Sequence, residues 1–176
     1  TNLLLDTPLN LEQHEFAQTI KTSGDALLTL INDILDYSKA EAGRITLEMI
    51  PFDLHAGCAE VIELVATQAA DKGLELVYLA DPPPLPLVAD PGRVRQVLLN
   101  LLGNALKFTE KGHVQIALTQ VPATDGRPGY ARVSITDTGI GIALEKQPQL
   151  FRRFVQADSS TTRRFGGTGL GLAISK

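Results

Sequence analysis

Gly166-Gly167-Thr168-Gly169-Leu170-Gly171-Leu172-Ala173-Ile174 is a glycine-rich run that flows into an apolar helical pattern. Backbone amides freed of side chains at a helix start form an anion site, although the same composition also suits a flexible hinge. Two upstream stretches bear on the choice. Asp137-Thr138-Gly139-Ile140-Gly141-Ile142 sets a carboxylate beside paired glycines after a strand. Asn100-Leu101-Leu102-Gly103-Asn104-Ala105-Leu106-Lys107-Phe108-Thr109 carries Asn100, Asn104 and Lys107 at i, i+4 and i+7, which is one face of a helix. Together the three stretches predict a pocket for a magnesium nucleotide.

Two carboxamides and an ammonium provide oxygen ligands for a hard cation and a counter-charge for phosphates. Magnesium keeps several waters and shares its shell with substrate phosphates, so one asparagine oxygen suffices from the protein. Alone, this face also reads as a solvated polar surface. Val94, Val97, Leu98, Leu101 and Ala105 form the stripe expected to meet the core. At Asp137, a carboxylate accepts from the exocyclic amine of adenine and repels the carbonyl of guanine. A hydrogen bond to a charged group contributes about 1.5–3 kcal/mol. Gly139 and Gly141 leave room for a flat ring against the backbone, though Asp-Thr-Gly is also a common tight turn. A P-loop is excluded, because Gly-x-x-x-x-Gly-Lys-[Ser/Thr] is absent. The dinucleotide fingerprint fails as well.

The 176 residues suit one domain with an appendage, and 44% hydrophobic residues are ample for a core. Sixteen basic against twenty acidic residues give a net charge of −4, which argues against a nucleic-acid-gripping surface. Cys58 is the single cysteine, so no internal disulfide forms; it reads as a buried small side chain. No apolar run approaches the roughly 20 residues that span a bilayer. The expected location is cytoplasmic, with any anchor in an inner or plasma membrane lying elsewhere in a longer parent. A start at Thr1 without methionine and a stop at Lys176 inside a helical pattern fit such a parent.

Leu11 to Ala42 reads as one long helix closed by Gly43. Ile20, Gly24, Leu27, Ile31, Ile34 and Ser38 repeat at four and three, a seam that wants a partner helix. Beyond Arg44, a short strand is expected at Ile45–Glu48, then a helix capped by Asp53 and closed by Gly73. A strand at Leu74–Leu79, a stiff connector through Pro82 to Pro86 and a helix from Pro91 to Thr109 follow. Strands at His113–Val121 and Tyr130–Thr136 come next. Glu145–Phe154 is weakly helical, limited by Pro148, and Val155–Phe165 reads as a mobile loop. The order fits an α/β sandwich with one mixed sheet and helices on a single face.

These motifs, in this order, resemble those of the sensor histidine kinases: the N box (Asn100–Thr109), the G1 box (Asp137–Ile142), the F box (Phe151, Phe154) and the G2 box (Gly167–Leu172). Asn32-Asp33-Ile34-Leu35-Asp36-Tyr37-Ser38-Lys39-Ala40-Glu41-Ala42-Gly43 resembles the end of the dimerisation and phosphotransfer hairpin. Gln156–Phe165 resembles the nucleotide lid of hybrid kinases. The resemblance implies the ATP-binding α/β sandwich shared with gyrase-type topoisomerases and heat-shock chaperones, preceded by a long hairpin helix. It divides the chain into a partial phosphotransfer helix, 1–43, and a catalytic domain, 44–176, shortened at its end.

It also implies roles. Asn104 holds magnesium, while Lys107 and Asn100 approach the phosphates of ATP. Phe108 lines the pocket and Asp137 takes the adenine amine, with Gly139 and Gly141 beneath the ring. Gly167, Thr168, Gly169, Leu170 and Gly171 surround the phosphates. Expected partners are a second copy, through the hairpin, and a response-regulator receiver domain. No His-Glu-x-Arg-Thr-Pro acceptor box is present: His14-Glu15 lacks its arginine and proline, and His55 and His113 sit in ordinary helix and strand positions. The acceptor is therefore expected upstream. Two rival classes stay open, an ATP-driven clamp of the topoisomerase or chaperone type and a non-catalytic dimerising scaffold.

Overall fold

The computed structural model describes residues 1–82, 84–124, 126–151, 169 and 171–175. The chain forms two compact units, Thr1–Ile45 and Thr46–Lys176.

In the first unit a short helix α1, Asn2–Leu5, turns through Pro8 into α2, Leu11–Glu41. Asn10 opens α2 with a capping box: its Oδ1 accepts from Gln13 N at 2.9 Å, and its own N donates to Gln13 Oε1 at 3.1 Å. Gly43, at φ 62°, closes α2 while Arg44 N donates to Lys39 O and Gly43 N to Ala40 O. These are the two bonds of a Schellman motif. Thirty-one residues at 1.5 Å each make α2 about 46 Å long. Only Ala17 is buried along it, whereas Ile20, Leu27, Ile31 and Ile34 stay exposed within this unit. No helix among the described residues is long and apolar enough to cross a membrane.

The second unit begins with β1, Ile50–Asp53, and α3, Leu54–Asp71, which share Asp53 as the N-cap. Its Oδ1 accepts from His55 N at 3.0 Å and from Leu85 N at 2.9 Å. Next come β2, Glu75–Ala80, β3, Pro86–Ala89, and α4, Pro91–Phe108. The hairpin β4, His113–Val121, and β5, Tyr130–Asp137, follows, then a 3-10 turn at Gln147–Gln149 and α5, Gly171–Ile174. In the sheet β2-β4-β5 the first pair is parallel and the second antiparallel. One face of β4 buries Val114, Ile116 and Leu118 against Leu54, Cys58, Val61 and Val65 of α3 and Leu98, Leu102 and Leu106 of α4. Burial pushes the Cys58 thiol above its usual range, which keeps it protonated and inert.

The structure departs from sequence expectation in three places. The strand expected at Ile45–Glu48 lies at Ile50–Asp53. It pairs antiparallel with β3, which starts at Pro86, the last residue of the segment read as a connector, so the described residues of the second unit form two sheets rather than one. Pro51 and Pro86 lack the ladder donor, which confines such strands to edges. On α4, Leu102 and Leu106 are buried where Val97 and Leu101 were expected; the latter two are half-buried flanks. Pro148 reduces the expected helix to the 3-10 turn, and that reading's end at Phe154 lies outside the described residues.

Asp90 caps α4 and ties it to the chain before β1, accepting from Arg93 N at 3.0 Å and Glu48 N at 3.1 Å. These donors, Glu48 first, hold its carboxyl below the usual aspartate range. A lowered folded-state value stabilises the fold above the unfolded range and ceases to do so as pH falls through it. Asp90→Asn keeps a capping oxygen but removes the charge. The melting-temperature gap between wild type and this variant is expected to be open near about pH 7 and to narrow progressively as pH falls below about 4. A gap independent of pH contradicts this.

Candidate nucleotide site

Asn100, Asn104 and Lys107 are half-buried on α4, and the buried residues Leu98, Leu102, Ala105 and Thr109 occupy the opposite side of the helix. At about 100° per residue, three- and four-residue steps keep each set together. α4 packs against both β5 and α5, so one helix meets the strand that ends at Asp137 and the described part of the glycine-rich run, Gly171–Ile174.

The first junction is at the end of α4. Ile140 N donates to Phe108 O at 3.3 Å, and Gly139 N donates to Asp137 Oδ1 at 2.9 Å. A Cβ on Gly139 would lie 2.5 Å from Phe108 O and 2.8 Å from Asp137 Oδ1. The missing side chain lets the Asp-Thr-Gly turn press against the helix terminus. Thr138 fastens the turn to the start of β4: its Oγ1 accepts from His113 N at 3.0 Å, and its N donates to His113 O at 3.2 Å. Gly112, at φ 108°, accommodates that hydroxyl, which would collide with a Cβ there. Asp137 is exposed beside this junction, and Oδ2 is not the oxygen that receives Gly139. Gly141, at φ 67°, has open space where a side chain would be.

The second junction is on the flank of α4. Asn100 Nδ2 donates to Gly171 O and to Ser175 Oγ, both at 3.3 Å. A third contact holds the C-terminal turn, where Lys72 Nζ donates to Leu106 O at 2.7 Å. A cation on the last carbonyls also complements the helix dipole. Sequence reasoning did not single out Lys72, Thr138, Gly112 or Ser175: Lys72 and Thr138 meet backbone groups distant in sequence, Gly112 makes room for the Thr138 hydroxyl, and Ser175 bonds the Gly171 carbonyl one turn back.

Burial pulls the Lys107 ammonium below the usual lysine range, and the ammonium sits 5.0 Å over the Phe108 ring. An anion beside it offsets that desolvation. The donor set therefore fits a cation bound to phosphates: carboxamide oxygens for the hard ion, an ammonium for the anion, and a carboxylate for a ring amine. Gly169 has φ 69°, whereas Gly166, Gly167, Thr168, Leu170 and the lid Gln156–Phe165 lie outside the described residues. A groove of about 180 Å3 between α3 and the start of α4, lined by Phe52, Gly57, Pro91, Val94 and Leu98, lies away from Asn104 and Lys107. It is smaller than the roughly 300–1,000 Å3 usual for small-molecule sites. The Arg95–Glu60 ion pair belongs to that groove.

Comparison with known proteins places these elements. Residues 89–176 match the family described as histidine kinase-, DNA gyrase B- and HSP90-like ATPase, and residues 1–43 match the His Kinase A (phospho-acceptor) domain. Hybrid signal transduction histidine kinase L of Dictyostelium discoideum is 47% identical over 99% of this chain and 10% of its own length. The histidine-protein kinase BarA of Escherichia coli K12 is 46% identical over 100% of this chain and 19% of its own. Full-length ShkA, solved in complex with AMPPNP, superposes with a TM-score of 0.77 at 40% identity over 98% of this chain and 34% of its own. ThkA in complex with the response regulator TrrA gives 0.64 at 28% identity over 86% of this chain and 42% of its own. The chain belongs to the sensor histidine kinases and carries the catalytic ATPase core of a two-component system. It spans between 8% and 24% of the length of such relatives.

Proposed function

We propose that this core binds ATP with magnesium and directs the γ-phosphoryl group to an acceptor histidine upstream of Thr1, from which it passes to a receiver aspartate. The observation that carries this reading is the pair of junctions on α4, Phe108 O with Ile140 N and Asn100 with Gly171. Through them, side chains far apart in sequence meet around one helix face. Asp137 accepts the adenine amine, and Asn104 offers its carboxamide oxygen to the cation. Lys107, with Asn100, faces the phosphates, and Phe108 borders the pocket. Gly167, Thr168, Gly169, Leu170 and Gly171 close around the phosphates, and Gly139 and Gly141 lie under the ring. Magnesium, when bound, supplies positive charge to the phosphate oxygens. The protein's part in such phosphoryl transfer is positioning and electrostatics.

Residues 1–43 then serve as a dimerisation and phosphotransfer helix, and 44–176 as the catalytic domain. The exposed apolar seam of α2 supports a homodimer through the helical hairpin. The ThkA–TrrA complex supports a receiver domain as second partner. The domain works in the cytoplasm of a parent that is soluble or anchored in the inner or plasma membrane. These 176 residues alone do not phosphorylate themselves, since His14, His55 and His113 stand in no acceptor box.

A supplied helical hairpin bearing the acceptor histidine tests the reaction. Incubated with the chain, ATP and magnesium, the hairpin should gain acid-labile phosphate while the chain alone stays unlabelled. A folded chain that binds ATP but leaves the hairpin unlabelled favours the clamp class. A chain that binds no nucleotide favours the scaffold.

A further inference from the structure

Ser175 is absorbed by none of the motifs, yet it stands at their junction. Its Oγ donates to Gly171 O at 2.9 Å, so its lone pairs face outward. Asn100 Nδ2 approaches those lone pairs at 3.3 Å and Gly171 O at 3.3 Å. Gly171 O and Ser175 Oγ are 2.9 Å apart, so one N–H of the amide is shared between them as a three-centre bond. The reverse amide orientation would set Oδ1 against the carbonyl of Gly171, which can only accept. The Gly171 carbonyl thus fixes which way the carboxamide faces, and the Ser175 hydroxyl completes the hold. Oδ1 takes no part in these two contacts and is the acceptor atom of the held carboxamide. Gly171 permits the close approach, since a Cβ there would lie 3.3 Å from Asn100 Oδ1 and Cγ.

We infer that Ser175 is a positioning residue of the nucleotide site: through Asn100 Nδ2 it fixes the Asn100 carboxamide beside the cation–phosphate cluster, with Oδ1 as the atom available to the cation. The inference rests on the proposed placement of Asn100 beside the phosphates. It assigns the turn after α5 a part in cation-dependent affinity, not only in backbone contacts to phosphate. With its hydroxyl gone, Asn100 Nδ2 keeps only Gly171 O as acceptor and the carboxamide regains rotational freedom. The effect falls on the part of nucleotide affinity that depends on the divalent ion.

Titration calorimetry of the chain with ADP, in magnesium and in EDTA, tests this alongside thermal melts. Ser175→Ala is expected to weaken binding in magnesium by about three- to tenfold, the size of one neutral hydrogen bond, and to leave the EDTA value unchanged. Ser175→Thr, which keeps the hydroxyl, should restore the wild-type affinity. Equal loss with and without magnesium, or failure of Ser175→Thr to rescue, overturns the inference, because packing alone then explains the residue. Asn100→Ala separates the two levels. If it weakens magnesium-dependent binding while Ser175→Ala does not, the positioning role falls and the Asn100 assignment stands. If Asn100→Ala has no effect, both fall.

Discussion

Asp137→Asn is expected to weaken ATP binding by about ten- to 150-fold, the equivalent of a charged hydrogen bond, with the fold retained. The substitution is nearly isosteric, so size cannot account for the loss. Asp137 Oδ1 already accepts from Gly139 N at 2.9 Å. An asparagine must keep its oxygen there, since the alternative sets two donors face to face. Its remaining atom is then an amide nitrogen, which confronts the adenine amine donor with donor. The same geometry predicts a change of preference: inosine triphosphate, which carries a carbonyl in place of that amine, should lose less affinity than ATP or gain. Calorimetry with both nucleotides on wild type and variant reads the ratio directly. Unchanged ATP affinity in a folded variant contradicts the adenine contact.

Gly139→Ala should damage both stability and binding. The added Cβ would lie 2.5 Å from Phe108 O and 2.9 Å from Phe108 C, atoms of the backbone that cannot swing aside. The turn must lift away from the α4 terminus and stretch the Ile140–Phe108 hydrogen bond. Overpacking of this kind costs about 1–3 kcal/mol, and Asp137 is carried away from the α4 face with the turn. Gly141→Ala is the informative contrast. There the space is open but φ is 67°, so the strain of about 1–2 kcal/mol is local to the backbone. Both variants should weaken ATP binding, because both glycines are placed beneath the ring, while the α4–turn contact predicts the larger loss of stability in Gly139→Ala. A Gly139→Ala variant as stable as wild type would contradict that contact. Chemical denaturation, with ATP titrations on the same samples, measures both quantities.

Helices and the β4–β5 hairpin were legible because each is set by neighbours in sequence. Asn10, Asp53 and Pro91 mark helix starts, Gly43 and Gly73 mark ends, and alternation marks Val114, Ile116 and Leu118. Pairing of β1 with β3 was not legible. It joins Ile50–Asp53 to Pro86–Ala89 across a helix and a strand, and its prolines read as loop. On α4 the apolar residues spread over more than one side, so the pattern alone could not choose Leu102 and Leu106 over Val97 and Leu101. Motif spacing placed Asn100, Asn104 and Lys107 on one face of the helix. It gave a ring-binding reason for Gly139, where the structure adds a contact with the Phe108 carbonyl. Carbonyls carry no side-chain signature, which is also why Lys72 on Leu106 O and Ser175 on Gly171 O could not be foreseen.

The most direct test is a calorimetric titration of the folded chain with ATP, with magnesium present and then with the metal chelated. Saturable binding that tightens when magnesium is present is the predicted result. A chain with an intact cooperative melt that takes up no adenine nucleotide at millimolar concentration, metal included, would contradict the convergence of the three motifs on one binding site.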